Sequence, residues 1–293
     1  MGTSQPTQGN STSTVLGRRL GGELMRLRTA AGLRQPHAAK ALTASTTKIA
    51  KMEGGWVPMR DPDIRALCEL YGADIETIGY LLELARLDRE RRKARGWWVD
   101  FPLTGNMKEY IALEQAATTI RVWHPTFIPG LLQTPDYIRV LRRDAAVTPR
   151  ADQDETFVAA RLERQRRLHE PRPLRLEVVL HEAALRHTFS DASIMFDQLQ
   201  HLLAVGKLPN VAVRLYPFNA GVTAGLETPF NIISFSDDGA MDVVYVEVPL
   251  TQLWIEGGEG AAKYRGLYEK IAQRALSETD SRSLIAKIAE ELQ

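Results

Sequence analysis

Cysteine is almost missing from this chain of 293 residues, in which Cys68 stands alone. A single thiol excludes an intramolecular disulfide framework and every multi-cysteine metal site. Long apolar runs are missing as well: none approaches the ~18 consecutive residues that a bilayer-spanning helix needs. The opening stretch MGTSQPTQGNSTSTV has no positive region followed by an apolar one. It therefore does not read as a secretory signal, and a cytosolic protein is expected. Enzyme signatures are equally scarce. Neither G-x-S-x-G nor G-x-x-x-x-G-K-[ST] occurs, and no G-x-G-x-x-G follows an expected strand, which leaves catalysis without positive support. HEAALRH at 181–187 approaches the zinc-peptidase pattern, but His181 and His187 are six residues apart and do not share a helix face as an i, i+4 pair does. Cys68 lies in the apolar run IRALCELY, where a buried, inert thiol is the default. No catalytic residue, metal ligand or cofactor is expected.

Charge imbalance is missing overall but present locally. The chain carries 37 Lys and Arg against 36 Asp and Glu, a net of +1. Residues 1–60 hold nine basic side chains (Arg18, Arg19, Arg26, Arg28, Arg34, Lys40, Lys48, Lys51, Arg60) against Glu23 and Glu53, a net of +7, which leaves −6 for the rest. A small basic head on a larger, mildly acidic body suggests that the head meets a polyanion. With 44% hydrophobic and 25% charged residues the composition is ordinary for a globular protein, and the length suggests about two domains.

Residues 1–14 are rich in Ser, Thr, Gln and Gly and are expected to form a disordered tail. From 15 to 93 the pattern is that of about five consecutive helices. Leu16, Leu20, Leu24, Leu27 and Ala31 form a stripe of helical period, and Gly32 supplies a stop. Pro36 suits the first turn of a second helix, Ser45 caps a third, and Asp61-Pro62 and Asp74 open a fourth and a fifth. Residues 94–106 break the pattern and are expected to be a junction, with Trp97 and Trp98 in an interdomain seam. Beyond it, helices are expected at 107–121, 134–145, 152–169, 191–206, 258–276 and 280–292. Strands are expected at 174–180, 211–216, 230–235, 242–248 and 251–255, with Ser236–Gly239 as a hairpin linker. The fold class is thus an all-α head joined to an α+β domain over 107–293 with a mostly antiparallel sheet. Two finer expectations concern that domain. The turn Ile128-Pro129-Gly130-Leu131-Leu132 reads mainly as cover for the core, and Arg161, Arg164, Arg166 and Arg167 read as a solvated mixed-charge helix face.

The second and third helices carry the functional signal. A helix-turn-helix needs a small residue on the first helix and a branched apolar one on the second where they cross. Ala39 and Ile49 fit, with Leu42 and Met52 completing the local core. The segment 24–55 resembles the Xre-type, phage-repressor-like helix-turn-helix family, through Gly32-Leu33, Gln35, Ala39, Leu42, Ser45, Ile49, Met52-Glu53 and Gly55. Thr43 stands where the family usually has glycine in the turn, so a residue with a Cβ is expected to bear a left-handed conformation at some cost. Arg34 stands where a capping threonine is common, and Pro36-His37 replaces the usual acidic pair. In this motif the start of the third helix enters the major groove. That places the outward residues Thr46, Thr47, Lys48 and Lys51 against base edges, with the cap Ser45 beside them as a further DNA-binding candidate. Gln35 resembles the family residue that meets phosphate or an adjacent base, and Arg18, Arg19, Arg34 and Arg60 are candidates for phosphate contacts.

The stretch IPGLLQTPDY, preceded by Tyr110, Leu113-Glu114 and the tryptophan pair, is similar to the large domain of unknown function that follows such heads in WhiJ-like actinobacterial regulators. EAALRH, VAVRLYPF, FNIISF and DVVYVE follow in similar order. The two resemblances imply a cytoplasmic, sequence-specific transcription regulator binding double-stranded DNA, an inverted repeat contacted by a homodimer. Its larger domain would sense a small BldB-like partner protein or a small-molecule ligand. The other implication is an antitoxin-like interaction protein that sequesters such a partner and autoregulates its own operon.

Overall fold

The computed structural model describes residues 14–93, 96–145, 151–187, 189, 191–222, 224–235, 242–248, 251–256 and 258–293. The chain divides into two compact units, Met1–Gly96 and Trp97–Gln293. No helix among the described residues is long and apolar enough to cross a membrane.

The first unit consists of α1 (Val15–Ala30), α2 (Gln35–Ala41), α3 (Thr46–Glu53), α4 (Asp61–Tyr71) and α5 (Ile75–Lys93). Side-chain oxygens open α1, α3 and α5 by taking up free backbone N–H groups, whereas α2 and α4 begin at Arg34 and Arg60, which provide no such cap. Thr14 accepts from Gly17, Ser45 from Lys48, and Asp74 from Thr77, at 3.0, 3.2 and 2.7 Å. The expected tail therefore stops short of Thr14, and its other residues lie outside the described ones. Leu16, Leu20 and Leu24 are buried, whereas Leu27 is half-buried and Ala31 is exposed. Ala31 drops out of the stripe because it is the C-cap of α1, where helical periodicity ends, and Gly32 turns left-handed at φ 69°. The close approach of α1 and α3 rests on glycine rather than leucine. A Cβ on Gly21 would lie 2.3 Å from the Glu53 carbonyl oxygen, and one on Gly55 would lie 2.3 Å from the Arg18 amide.

Thr43 adopts φ 49°, alone among described non-glycine residues in having a positive φ, in the turn between α2 and α3. For an L-residue this conformation costs roughly 1–2 kcal/mol. Thr43→Gly is expected to relieve part of that strain, by up to about 1 kcal/mol after glycine's own entropy cost. Slower native-state hydrogen exchange over residues 35–53 would register it; faster exchange would mean that the threonine side chain stabilises the turn.

The second unit contains α6 (Gly105–Ala116), α7 (Pro135–Ala145), α8 (Ala151–Gln165), α9 (Ala183–Arg186), α10 (Ala192–Val205), α11 (Gly258–Arg274) and α12 (Glu278–Glu290). Its strands are β1 (Thr119–His124), β2 (Arg175–His181), β3 (Val211–Tyr216), β4 (Phe230–Ser234), β5 (Val243–Val248) and β6 (Thr251–Glu256). They form one mixed sheet in the order β3-β2-β1-β4-β5-β6. The β3-β2 and β2-β1 pairs are parallel and the other three antiparallel, so the sheet is mostly antiparallel. The linker expected at Ser236–Gly239 lies outside the described residues. Trp97 meets Trp98 and Phe101 edge-on, at 6.0 and 5.3 Å between ring centroids, and all three belong to the second unit.

Two expectations are corrected here. The helix expected over 107–121 ends at Ala116, and β1 begins at Thr119. β-Branched Thr119, Ile120 and Val122 alternate onto the sheet, where β1 pairs with both β2 and β4. The arginine group on and after α8 is not a solvated face either. Arg164 is buried and forks onto Glu114, itself fully buried, with Nε–Oε1 2.8 Å and Nη2–Oε2 2.7 Å. Arg167 is buried and caps backbone carbonyls, including that of Ala117 at 3.0 Å. Only Arg166 of the four is fully exposed, pairing with Glu163 at 3.0 Å. The apolar acceptor-rich end of α6 supplies the partners that local spacing does not show.

Period-2 alternation sorts the sheet into two faces. Trp123, Val179, Phe230, Ile232, Val244 and Val246 form a core with Tyr268 and Ile271 of α11. Ile120, Val122, Asn231 and Tyr245 point to the opposite face, where α6, α7 and α8 cover a cavity.

Candidate DNA interface

The interface is built from the carboxylate of Glu53 outward. Arg28 of α1 grips it with Nε–Oε1 2.6 Å and Nη2–Oε2 3.1 Å. The same guanidinium donates to the Leu33 carbonyl at 3.0 Å, and Gln35 Nε2 donates to Glu53 Oε2 at 2.8 Å. One carboxylate thus ties the end of α3 to α1 and to the start of α2. Charge-assisted, two-pronged bonds of this kind fix orientation as well as contributing energy. The hydrogen bond and charge of Glu53 raise the Arg28 pKa, against a smaller opposing effect of burial. Gln35, expected to face DNA, has its amide nitrogen committed to this network.

At the crossing of α2 and α3, Ala39, Ile49 and Met52 are buried as the motif requires. Leu42 is half-buried, because it is the C-cap of α2 rather than a residue on its inner face. The Ala44 amide donates to the Ala39 carbonyl at 2.8 Å and closes the turn through Thr43. Arg34 provides no side-chain cap for α2, since a guanidinium has no acceptor. Instead, His37 Nδ1 accepts from the Arg34 amide at 3.0 Å. The Pro36-His37 pair therefore supplies the N-terminal bond that the usual residues would make.

The outer side of α3 is open. Ser45, Thr46, Thr47, Ala50 and Lys51 are exposed, and Lys51 makes no ion pair among the described residues. Lys48 is half-buried, with Nζ 3.6 Å from Asp63 Oδ2. Arg60 forks onto the same carboxylate at 3.1 and 2.9 Å, so α4 gathers these two candidates at one place. The bond to Asp63 raises the Arg60 pKa. Arg34 is exposed, whereas Arg18 is half-buried on α1. Arg19 pairs with Glu23 at 2.9 Å. Ser45, Thr46, Thr47 and Lys51 are all exposed, and of these Thr47 and Lys51, four residues apart, share a face of α3, while Lys48 and Arg60 converge on Asp63. Arg28 and Asp63 escaped sequence reasoning. The partner of Arg28 lies 25 residues away, so spacing carries no signal for it, whereas Arg60 and Asp63 form an i, i+3 pair that local spacing could have shown.

Elsewhere, His181 ends β2 and its Nδ1 accepts from the Ala183 amide at 3.1 Å, while His187 Nδ1 lies 3.2 Å from the Thr126 carbonyl. Among the described residues no group of three or more His, Cys, Asp or Glu is arranged to hold a metal ion.

A short-turn helix pair with a buried Ala–Ile crossing and an open third helix defines a helix-turn-helix protein. A family profile described as a helix-turn-helix domain matches residues 19–81. A second, described as a domain of unknown function (DUF5753), matches residues 107–287. That is more than half of the chain, and the chain belongs to this family. No curated protein and no solved structure matches it. The helix-turn-helix domain marks a DNA-binding regulator.

Proposed function

We propose that the chain is a cytoplasmic, sequence-specific transcription regulator that sits on the nucleoid and reads an inverted repeat as a homodimer, with no enzymatic step. The observation that carries this is the open side of α3, where Thr46 and Thr47 are exposed at the helix start and Lys51 is exposed in the last turn, while Ile49 and Met52 anchor its back. The start of this helix is the part that enters the major groove. Thr46 and Thr47 offer a hydroxyl and a methyl there, and Lys51, four residues on from Thr47, offers a donor to the guanine acceptors. Lys48, Arg34, Arg60 and Arg18 position the duplex through phosphates. One such face covers a half-site, so two copies meet successive half-sites ~34 Å apart. The second unit conditions this binding by taking up a small partner protein or ligand.

Selection of bound sequences from random duplex DNA by the full-length protein at ~150 mM salt tests the reading. An enriched inverted repeat, lost in a Thr47→Ala/Lys51→Ala double variant, is expected. Enrichment that survives the double variant would remove α3 from base reading. Affinity for the enriched site is expected to fall with log salt at a slope of about −0.9 per neutralised phosphate.

A further inference from the structure

A cavity of about 350 Å³ lies within the second unit, on the sheet face opposite the α11 core. Its size is at the lower end of the roughly 300–1,000 Å³ typical of small-molecule sites. Ile120 and Val122 of β1 and Leu176 of β2 form an apolar floor, with Leu141 and Phe157 facing them from α7 and α8. The Ile128–Leu132 turn is both things a buried turn can be: Ile128, Leu131 and Leu132 are buried in the core, while Ile128 to Leu131 also line the cavity.

Two polar side chains line it from adjacent strands. Val122 of β1 pairs with Asn231 of β4, and His124 follows Val122 by two residues on the same face. His124 and Asn231 are therefore diagonal neighbours, with Cα atoms ~7–8 Å apart. Both line the cavity and both are half-buried. His124 Nδ1 accepts from the Phe127 amide at 2.9 Å, and burial lowers the pKa of this ring to about 4. A neutral imidazole that accepts at Nδ1 carries its proton on Nε2. That N–H keeps accessible surface and meets no acceptor among the described residues. Asn231 Nδ2 donates to the Tyr110 hydroxyl oxygen at 3.0 Å, which leaves Oδ1 accessible and without a donor among the described residues. A neutral donor thus stands beside a neutral acceptor at the edge of the apolar floor. The arginines of the wall are engaged within the protein. Arg164 forks onto Glu114, and Arg161 bonds Gln133 Oε1 and lies 4.7 Å over the Phe157 ring. Arg142 lies 4.4 Å from that same ring.

We infer that this cavity binds a small uncharged molecule with a carboxamide-like head and an apolar body. Its carbonyl accepts from His124 Nε2, its N–H donates to Asn231 Oδ1, and its body lies against Ile120, Val122 and Phe157. An amide offers an acceptor and a donor side by side, which is the pairing that the two strands present. Each bond answers a polar group left without a partner in a partly enclosed space, where an unmade hydrogen bond is costly. A carboxylate has acceptors but no donor for Oδ1, and it would carry a charge into a space whose arginines already have partners. This deepens the ligand-sensing part of the proposed function; because it is measured without DNA, its failure is distinguishable from failure of DNA reading.

Calorimetric titration of the full-length protein with 3-phenylpropanamide and octanamide tests it, each beside its N,N-dimethyl amide and its carboxylate. At least one primary amide is expected to bind saturably. Its N,N-dimethyl form and its carboxylate are each expected to bind about tenfold more weakly or worse, because both leave Asn231 Oδ1 without a donor. His124→Phe, which keeps a ring but removes the Nε2 donor, is expected to weaken the primary amide by a similar factor. Leu141→Trp, which fills the cavity from a half-buried wall position, is expected to abolish binding and covers the case in which the histidine variant does not fold. A carboxylate or dimethyl amide that binds as tightly as the primary amide, unchanged affinity in folded His124→Phe, undiminished binding in Leu141→Trp, or no heat from either primary amide at millimolar concentration would each overturn the assignment.

Discussion

Gly21→Ala is expected to disrupt the first unit and abolish DNA binding while leaving the second unit folded. The added Cβ would lie 2.3 Å from the Glu53 carbonyl oxygen and 2.5 Å from that of Met52. Both are backbone atoms at the end of α3, so no side-chain rotation can make room, and the third helix itself must move. Overpacking of this kind costs typically ~1–3 kcal/mol and sometimes more, and here it acts on the element proposed to face DNA. Gly22 provides the control, because an added Cβ there meets nothing within 4 Å. Gly22→Ala is expected to stabilise α1 by roughly 0.5–1 kcal/mol through the lower entropy cost of alanine. Segment-resolved hydrogen exchange separates the two: protection over residues 15–60 should collapse in the first variant and rise slightly in the second. Equal protection in both would mean that α1 and α3 are further apart than described.

The second large effect concerns the buried pair in the DUF5753 domain. Arg164→Met is expected to destabilise that unit by about 3–5 kcal/mol, because it leaves the Glu114 carboxylate buried without a cation. Glu114 has no exposed surface, so water cannot substitute. The Arg164 guanidinium carbon also lies 5.2 Å from the Tyr110 ring centroid, a smaller cation–π contribution that is lost with it. The double variant Glu114→Leu/Arg164→Met removes both charges and is expected to recover most of the loss, as replacement of whole buried ion pairs by apolar groups often does. Urea denaturation followed by tryptophan fluorescence, to which Trp97, Trp98, Trp123 and Trp254 of this unit contribute, reports the difference. Equal midpoints for the single and double variants would mean that the arginine matters through packing alone.

Most of the first unit was legible from the sequence because its signals are local. Leu16, Leu20 and Leu24 repeat with the helical period, Ser45 caps, and Ala39 and Ile49 sit ten residues apart in a short-turn pair. Even the strain at Thr43 followed from one side chain in a glycine position. What was not legible depends on partners distant in sequence. β1 is six residues long and follows α6 with no glycine or proline between them, so its alternation at Ile120 and Val122 was absorbed into the preceding helix. Arg161, Arg164 and Arg167 stand among acidic neighbours at spacings that also suit a solvated helix. Glu114, which neutralises Arg164, lies 50 residues upstream, and only the fold brings it there. In the interface, Gln35 looked like a DNA contact by position, yet its amide nitrogen is held by Glu53 across 18 residues.

The central claim is that α3 reads bases through its open face. Its most direct test is the affinity ratio between the selected duplex and a scrambled duplex of equal length, for wild type and Lys51→Ala at the same salt. If Lys51 contacts a base edge, the substitution costs about 1–3 kcal/mol on the selected duplex. It leaves affinity for the scrambled duplex nearly unchanged, so the ratio falls roughly five- to a hundredfold. A ratio that stays constant while both affinities drop would make Lys51 a phosphate contact and contradict the claim.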